Sequence, residues 1–391
     1  MLIGLVGKSN SGKSTFFSAA TLVDAEISNR IFTTIEPNRG VTYVSSPCPC
    51  RALGVICSPQ NSKCIDGTRF VPVKMIDIAG LVPGAHEGRG LGNQFLSDIM
   101  EANALIHIVD ISGSTDESGN PLASGTRDPK DDIKFLEEEI DYWILGILKR
   151  NLTTLSKRME ATKEKFPEVV HKQLAGLGIK LSEVEHALNG AEVSPQSDDY
   201  DLLKFVHVLR ERAKPIILAA NKIDVEGSEK NLERISDLGY EIFPCSAESE
   251  LALRKAAEKG LIEYNPGDAE FRVRNVNENH RKALDYVQSH VLGRYGSTGV
   301  QKIIDHAVFE VLQMIVVYPV ENEHKFTSKK GDVLPDAFLM RKGSTAIDLA
   351  FKVHEDIGRK FIAAVDAKTG KNISSSCELK NGDVISIRSG R

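Results

Sequence analysis

The sequence predicts an α/β protein in which a mixed β-sheet is flanked by helices, interrupted by a helical insertion and followed by a small unit of strands around one helix. Three observations lead to this prediction. Short apolar runs that end in glycine or polar residues alternate with helical patterns, as in sheets covered by helices. About a hundred residues of mostly helical pattern separate two of these runs. From about residue 317 the pattern changes to strand, helix and further strands.

Length and composition set the broad class. The 391 residues suffice for two or three domains. A formal charge of −5 argues against a surface that binds nucleic acid all over. The chain has no run of about 18 apolar residues that could cross a bilayer, and "MLIGLVGKSN" lacks the basic start and longer apolar core of a signal peptide. We therefore expect a cytoplasmic protein without a membrane partner.

The first apolar run leads into a glycine-rich loop that precedes a helical pattern. The loop fits G-x-x-x-x-G-K-[ST] between "LIGLV" and "STFFSAATL". Glycines let backbone amides turn inward around phosphates, and the helix N-terminus adds partial positive charge. Lys13 would reach the β- and γ-phosphates, and the hydroxyl of Ser14 would ligate Mg²⁺. The predicted nucleotide contacts of this loop are Gly7, Lys8, Ser9, Asn10, Ser11, Gly12, Lys13, Ser14 and Thr15.

The next two motifs would surround the γ-phosphate. "VKMIDIAGL" ends in Asp77-x-x-Gly80, where the aspartate could hold Mg²⁺ through water and the glycine amide could bond the phosphate; Ala79 is included in this site. Upstream, "IFTTIEPNRG" supplies a threonine that could ligate Mg²⁺ and sense the γ-phosphate. We favour Thr34 over Thr33 for this role; the alternative is a loop hydroxyl without it.

The base is predicted by a third strand and the loop after a fourth. "PIILAANKID" ends in Asn221-Lys222-x-Asp224. The carboxylate of Asp224 can accept two hydrogen bonds from guanine N1–H and its exocyclic amine, a donor pair that adenine lacks. The stem of Lys222 can lie over the base, and "FPCSAES" offers the amides of Ser246 and Ala247 near guanine O6. The order of the three motifs predicts guanine.

The strings "TTIEPNRG", "DIAGLVPGAHEGRGLGNQFL" and "NKID" resemble the Obg-related branch of the translation-factor class of GTPases, and the archaeal YchF-like proteins within it. The resemblance extends over almost the whole chain. It implies a Ras-like P-loop G domain that hydrolyses GTP to GDP and phosphate as a ribosome- or RNA-associated switch. Some YchF members replace N-K-x-D and prefer ATP; this chain keeps the motif, which points to GTP.

Hydrolysis is expected to be slow without assistance. In Ras-like enzymes a glutamine after D-x-x-G orients the attacking water, but here the position is Leu81. Asn10 resembles the asparagine of GTPases that use K⁺ in place of an arginine finger; alternatively it is an ordinary loop residue. His86 could reach the water and Arg89 the γ-phosphate, or both are solvated. The predicted catalytic set is Lys13, Thr34, Gly80, Asn10 and His86.

Four of the six cysteines cluster in "CPCRALGVICSPQNSKC". In a reducing compartment such thiols indicate a metal site rather than disulfides. Tetrahedral Zn²⁺ suits thiolates at short spacing, but C-x-C-x6-C-x6-C is not a common finger pattern. A structural zinc clip and loop thiols without metal both remain open for Cys48, Cys50, Cys57 and Cys64.

The helical insertion is predicted between "ALIHIVDISG" and "KPIILAAN". Apolar residues recur at helical spacing at Ile133, Leu136, Ile140, Ile144 and Ile147. The segment resembles the helical hairpin of YchF proteins. From Lys149 to Lys172 it carries seven Lys and Arg against three Glu, a stripe that either meets RNA phosphates or is merely solvated.

The C-terminal pattern, from "IVVYPV" to "GDVISIRSG", predicts a β-grasp that resembles the TGS domain. We expect Ser344 or Thr345 to cap its helix, with one face formed by Ala346, Leu349, Ala350, Val353 and Ile357. From residue 317 the chain has thirteen Lys and Arg against ten Asp and Glu, a net charge of +3. This favours a ribosome- or RNA-facing surface over a protein-docking module.

The predicted domains are a first nucleotide-binding part (1–129), the insertion (130–212), a second nucleotide-binding part (213–316) and the β-grasp (317–391). The stretch 250–316 is expected to be helical and to pack against the nucleotide-binding part. Two alternatives to the GTPase remain. One is an ATP-preferring YchF-type ATPase; the other is an RNA-binding adaptor that uses nucleotide only as a structural ligand.

Overall fold

The structure, a computed structural model, describes most of the chain. The described residues are 1–22, 38–78, 84, 86, 92–190, 193–194 and 196–390, with the backbone alone for 92–94 and 151–162. The chain divides into two compact units, Met1–Ala19 with Met75–Ile303 and Ala20–Lys74 with Ile304–Arg391. The described residues between Ala20 and Lys74, which the sequence predicts as part of the first nucleotide-binding part (1–129), belong to the same compact unit as the C-terminal part.

Strands and helices alternate along most of the described chain. The strands are β1 (Leu2–Val6), β2 (Arg39–Pro47), β3 (Lys63–Ile65), β4 (Thr68–Asp77), β5 (Ala104–Asp110), β6 (Ile216–Asn221), β7 (Ile242–Pro244), β8 (Ile262–Glu263), β9 (Arg272–Val273), β10 (Met314–Val320), β11 (Phe338–Arg341), β12 (Phe361–Asp366), β13 (Lys371–Ile373) and β14 (Val384–Ser389). The helices are α1 (Lys13–Thr21), α2 (Pro49–Leu53), α3 (Gly92–Glu101), α4 (Pro129–Thr162), α5 (Phe166–Leu174), α6 (Leu181–Asn189), α7 (Asp199–Ala213), α8 (Ser228–Ile235), α9 (Ala247–Glu258), α10 (Glu278–Val287), α11 (Gly293–Tyr295), α12 (Val300–His306), α13 (Ala346–Val353) and α14 (Glu355–Arg359).

The first unit is built on a parallel sheet. The end of β4, then β1, β5, β6 and β7 lie side by side in that order, and the pairs from β1 to β7 are parallel. Both β1 and β5 are buried along their whole length, which explains their continuous apolar runs. Parallel strands end at the same edge of a sheet, so the loop after β1 meets the ends of β5 and β6 there.

Helices α4 to α7 form the helical insertion, as the periodicity predicted. Four of the five apolar positions that predicted it are at most 1% exposed, and Ile147 is partly buried. The guanidinium of Arg210 on α7 is also buried; its Nε donates to Asp141 on α4 (2.8 Å), and its Nη1 lies 3.2 Å from Glu137. A buried charge is costly unless paired, so this network fixes α7 against α4. In the described part of the chain even α4, the longest helix, is too polar to cross a membrane.

The basic stripe of the insertion is partly neutralised. Lys149 pairs with Asp199 (2.7 Å) and Lys172 with Glu164 (2.9 Å). The side chains of Lys157 and Arg158 lie outside the described residues. Exposed ion pairs contribute little to stability, but each removes one cation from those available to a phosphate backbone. The RNA-binding interpretation of this stripe stays a prediction.

The segment after β7 is mostly helical and packs within the first unit. Gly299 approaches β7 so closely that a Cβ there would lie 2.2 Å from the carbonyl oxygen of Pro244. The buried carboxylate of Glu250 on α9 accepts hydrogen bonds from Arg254, Tyr264 (2.6 Å) and Thr298. These contacts join α9, the strand region around β8 and the loop before α12 into one body.

The second unit contains the β-grasp. Its strands lie in the order β11-β10-β14-β12-β13, with β10 and β14 parallel and the other pairs antiparallel. Helix α13 packs on this sheet through Ala346 and Leu349, both fully buried. In the same unit β3 and β4 form an antiparallel hairpin whose turn contains Asp66 and Gly67, both with positive φ.

Helix α13 ends earlier than the sequence pattern suggested. Thr345 is its N-cap, as predicted, and both its amide and its hydroxyl donate to Asp348 (2.8 Å each). His354 is extended (φ −163°), and as the N-cap of α14 its Nδ1 accepts a hydrogen bond from the amide of Asp356 in the first turn of that helix. The predicted single face that reached Ile357 was therefore wrong, because the imidazole offers a new cap and divides the helix.

Candidate functional site

The glycine-rich loop after β1 has a backbone that only glycine fits at two positions. Gly7 has φ +150°, and a Cβ there would lie 2.6 Å from the carbonyl oxygen of Ile108. Gly12 has φ +93°, and its Cβ would lie 2.2 Å from Nδ2 of Asn221. Each glycine thus permits a close approach to a neighbouring strand end, and together they fix the curvature of the loop.

Asn221, at the end of β6, connects three motifs. Its Nδ2 donates to the carbonyl of Ser11 in the loop (2.9 Å), and its Oδ1 accepts from the amide of Ala247 (3.0 Å). Ser246 caps α9, where its Oγ accepts from the amide of Ser249 (3.3 Å). The sequence predicted nucleotide contact for Asn221; the structure gives its side chain a positioning task, since it holds the phosphate loop beside the segment expected to face guanine O6.

Lys222 is anchored by an aspartate that the sequence analysis did not select. Its Nζ lies 2.9 Å from Oδ2 of Asp110, at the end of β5. Burial acts to raise the pKa of Asp110, but hydrogen bonds from Ser112 and Lys222 outweigh it and lower that pKa. The charged pair fixes the position of the lysine ammonium group. The available sequence signal was an acidic residue at the end of a buried strand.

Asp224 is half-buried beside this lysine. Its backbone carbonyl accepts a hydrogen bond from the hydroxyl of Tyr286 (3.0 Å), but within the described residues no donor engages its carboxylate. The carboxylate is near Cys245, whose pKa is raised by burial and, to a smaller extent, by the charge of Asp224. A partly buried carboxylate with unused acceptors can bind an external pair of N–H donors.

At the start of α1, Lys13 and Ser14 both contact Asp77. The Nζ of Lys13 lies 2.5 Å from Oδ1, and the Oγ of Ser14 lies 3.2 Å from Oδ2. A hydroxyl and a carboxylate, both hard oxygen donors, fit the ligands that Mg²⁺ prefers. The predicted partners Thr34, Ala79 and Gly80 lie outside the described residues, as do Leu81 and Arg89.

The polar loop 112–128, to which the sequence analysis gave no role, covers the first part of the phosphate loop. Nδ2 of Asn10 donates to the carbonyl of Gly119 (2.9 Å). A Cβ on Gly119 would lie 2.6 Å from Ser9. The buried Nζ of Lys8 donates to the carbonyl of Thr115 (2.8 Å) and pairs with Asp132 (2.6 Å). The side chain of Lys8 is therefore engaged within the protein, and only its backbone is left for phosphate.

His86 is held by the insertion. Its Nδ1 lies 2.7 Å from Oε2 of Glu139 on α4, and its ring stacks on Tyr142 with centroids 5.3 Å apart. The backbone amides of Gly84 and His86 donate to the same carboxylate (2.8 and 2.9 Å). No local pattern marks Glu139. Its carboxylate connects Gly84 and His86, which follow the D-x-x-G motif, to the helical insertion, and the predicted catalytic role of His86 stays a prediction.

Glu139→Ala is expected to free the segment around His86. The substitution removes the acceptor of both amide hydrogen bonds, and charge-assisted bonds of this kind contribute about 1.5–3 kcal/mol each. Hydrogen exchange of the amides of Gly84 and His86 should therefore accelerate about tenfold or more. Glu138→Ala, which removes the exposed neighbouring carboxylate on the same helix, should leave both rates unchanged. Equal exchange in the two variants would contradict the anchoring role of Glu139.

The four clustered cysteines converge in the second unit. The sulfur atoms of Cys48, Cys50, Cys57 and Cys64 all lie within 4.8 Å of one another. Cys48 and Cys50 are buried, whereas Cys57 and Cys64 are half-buried. Chain spacing alone left it open whether these thiols meet, and the fold brings them together.

Comparison with known families assigns three parts of the chain. Residues 2–157 match the model described as 50S ribosome-binding GTPase, and residues 219–322 match the model described as Obg-like GTPase YGR210-like, G4 motif-containing domain. Residues 324–389 match the TGS domain. The phosphate and base motifs fall within the first two matches.

Similar proteins cover the whole chain. It is 50% identical over 390 residues to an uncharacterized GTP-binding protein of Methanocaldococcus jannaschii, which covers 99% of this chain and 98% of that protein. It is 34% identical over 271 residues to the ribosome-binding ATPase YchF of Haemophilus influenzae, a match that covers 67% of this chain and 69% of that protein. A solved GTP binding protein from Pyrococcus horikoshii OT3 matches 100% of both chains with a TM-score of 0.78 and 40% identity. The predicted fold class is confirmed.

Proposed function

Because the chain belongs to the YchF-like, Obg-related family of P-loop GTPases, a family of nucleotide hydrolases, we propose that it binds GTP and hydrolyses it to GDP and phosphate. The observation that carries the guanine assignment is the unengaged, half-buried carboxylate of Asp224 beside the anchored stem of Lys222. Guanine offers that carboxylate two N–H donors on one edge, and adenine offers no such pair. A desolvated carboxylate left unmatched is costly, so the site should discriminate between the bases.

The phosphate end of the site follows from α1 and the loop before it. Backbone amides of the loop and the positive end of α1 would hold the phosphates. Ser14 and Asp77 would hold Mg²⁺, which when bound neutralises charge on the β- and γ-phosphates. With nucleotide present, Lys13 would exchange its ion pair with Asp77 for the phosphate oxygens. Lys13 therefore pairs with Asp77 in the absence of nucleotide and would bind the phosphate oxygens in its presence.

Assistance by K⁺ is the second part of the proposal. Leu81 cannot orient water, so charge stabilisation must contribute more of the rate. Nδ2 of Asn10 is held by Gly119, which fixes the orientation of the amide and leaves its Oδ1 as an acceptor for a monovalent cation. Thr34, Gly80 and His86 complete the proposed catalytic set.

The proposed partner is the ribosome. Support comes from the TGS match, from the family model described as ribosome-binding, and from the name of the Haemophilus relative. The C-terminal part also carries the positive charge expected of a surface that approaches rRNA. A cytoplasmic location follows from this partner. The second candidate is an ATPase, favoured by the name of that relative but opposed by the intact N-K-x-D motif.

One set of assays tests the proposal. GTP hydrolysis by the full chain should be measured with K⁺ or Na⁺, with and without ribosomes, and ATP should compete with labelled GTP for binding. We expect GTP binding at least about 100-fold tighter than ATP binding, and turnover that K⁺ raises over Na⁺. Equal affinity for ATP would contradict the guanine assignment. Tight GTP binding without hydrolysis under all four conditions would favour the adaptor that uses nucleotide only as a structural ligand.

A further inference from the structure

The cysteine cluster has the geometry of a single tetrahedral metal site. Thiolates bind Zn²⁺ at about 2.3 Å, which places the sulfurs of a regular tetrahedron about 3.8 Å apart. The sulfurs of Cys50 and Cys64 are 4.0 Å apart, and no pair in the cluster exceeds 4.8 Å. A disulfide would require about 2.05 Å, and clusters with several irons separate their cysteine sulfurs more widely. The spacing fits one ion at the centre.

Backbone hydrogen bonds and strand pairing position three of the four cysteines. The amide of Cys48 donates to the carbonyl of Gly67 (2.8 Å), and the carbonyl of Cys50 accepts from Val55 (3.0 Å). Cys64 lies on β3 in register with Arg69 on β4, next to a turn at Asp66 and Gly67. The start of α2, the loop after it and the β3–β4 hairpin therefore present their sulfurs to one point, as in structural zinc sites.

The surroundings supply the positive charge and the donors that a tetrathiolate site needs. Arg69 is fully buried; it donates to Ser62 (2.9 Å) and to the carbonyl of Leu334 (2.8 Å), and its side chain lies over the ring of Tyr318. Among the described residues, its Nε and the hydroxyl of Tyr318 are buried without hydrogen-bond partners. Buried donors in folded proteins nearly always have partners. The Nε of Arg69 and the hydroxyl of Tyr318 therefore need acceptors, and neighbouring thiolate sulfurs would provide them.

Arg69 and Tyr318 both lie within electrostatic range of the thiol of Cys48. Four thiolates around Zn²⁺ carry a net charge of −2, and a buried arginine offsets half of it. A buried arginine beside four neutral thiols would lack that compensation.

We propose that Cys48, Cys50, Cys57 and Cys64 bind one structural Zn²⁺ ion. Nothing in the nucleotide site depends on this ion. With all four ligands supplied by the protein, the coordination is closed, which is the form that stabilises structure rather than catalyses a reaction.

The ion would stabilise the loop between Cys57 and Cys64, which contacts the stretch before β11 in the same unit. The loop between Cys57 and Cys64 has little apolar material of its own, yet its backbone bonds the stretch before β11. Amides of Ser58 and Gln60 donate to the carbonyls of Val333 (2.8 Å) and Pro335 (2.7 Å). Asn61 exchanges two further hydrogen bonds with Ala337 (2.9 and 3.1 Å). Zinc would hold this loop in the shape that makes those contacts.

The test is the metal content of the full chain, purified under reducing conditions without added metal. We expect one zinc per chain by elemental analysis, and release of that zinc when a mercurial titrates the thiols. Replacing zinc by Co²⁺ should give the visible bands of tetrahedral cobalt bound to four thiolates. These measurements use the unaltered protein, so they do not depend on the folding of a variant. Wild-type protein without metal, whose four clustered thiols react freely, would overturn the proposal.

Variants then assign the ligands. Cys57→Ser with Cys64→Ser, which alters the two half-buried cysteines, should lower the zinc content from one to below about 0.1 per chain. Cys377→Ser, in the same unit but outside the cluster, should retain one zinc. Zinc retained by the double variant, or lost from the control, would place the metal elsewhere. Stoichiometric iron in place of zinc would refute the choice of metal.

Discussion

Replacing Lys13 by methionine is expected to lower the rate of GTP hydrolysis by about 10²- to 10³-fold or more. Methionine retains most of the apolar stem but has no charge. The cation that would stabilise the charge developing between the β- and γ-phosphates is therefore lost. In the protein without nucleotide, Asp77 also loses the ion pair with Lys13 seen at 2.5 Å. Single-turnover hydrolysis measures the effect on the chemical step, and binding of a fluorescent GTP analogue measures the effect on affinity.

The control for this substitution is Lys230→Met on α8, where the lysine is exposed in the same unit. It makes the same chemical change and should leave binding and hydrolysis unchanged. Thermal unfolding of both variants shows whether the fold is intact. If Lys13→Met binds and hydrolyses GTP like the unaltered protein, the glycine-rich loop does not hold the phosphates and the proposed site is wrong.

Replacing Asp224 by asparagine is expected to weaken GTP binding by about 100-fold or more. Two hydrogen bonds to a charged acceptor contribute about 1.5–3 kcal/mol each, and the amide nitrogen would face the exocyclic amine of guanine donor to donor. Xanthine carries a carbonyl oxygen in place of that amine. The variant should therefore bind xanthosine triphosphate better than GTP, a reversal that general damage to the fold cannot produce.

Competition of GTP, ATP and xanthosine triphosphate against one labelled nucleotide measures this reversal. Asp237→Asn, an exposed carboxylate between α8 and β7, is the matched control and should keep the preference for GTP. Uniformly weaker binding of all three nucleotides by Asp224→Asn would mean that the residue supports the loop without reading the base. Unchanged GTP affinity would exclude contact altogether.

The nucleotide motifs could be found from the sequence because each one is short and its chemistry lies in neighbouring residues. A glycine-rich loop between a strand and a helix predicts phosphate binding through backbone geometry, and N-K-x-D at a strand end predicts an acceptor for guanine. The insertion and the β-grasp were visible for a related reason. Their apolar residues recur with the period of a helix or strand, and that period is a property of the local backbone.

Side-chain contacts between residues far apart in the sequence could not be predicted in this way. Asp110 meets Lys222 across 112 residues, and Glu139 meets His86 across 53. Nothing near either carboxylate in the sequence marks the group that it binds. The short extent of α13 is a related case: apolar spacing continues past its end, but the cap formed by His354 divides the helix.

The sequence by itself determined the fold class, and it predicted the phosphate loop and the residues that would contact the base. Tertiary structure alone decided that Asn221 joins the phosphate loop to α9, that the loop 112–128 engages Lys8 and Asn10, and that four cysteines meet within 4.8 Å. The physical reason is the range of the interactions. Backbone conformation and periodicity are set by adjacent residues, whereas the pairing of buried charges, amides and thiols depends on which segments the packed core brings into contact.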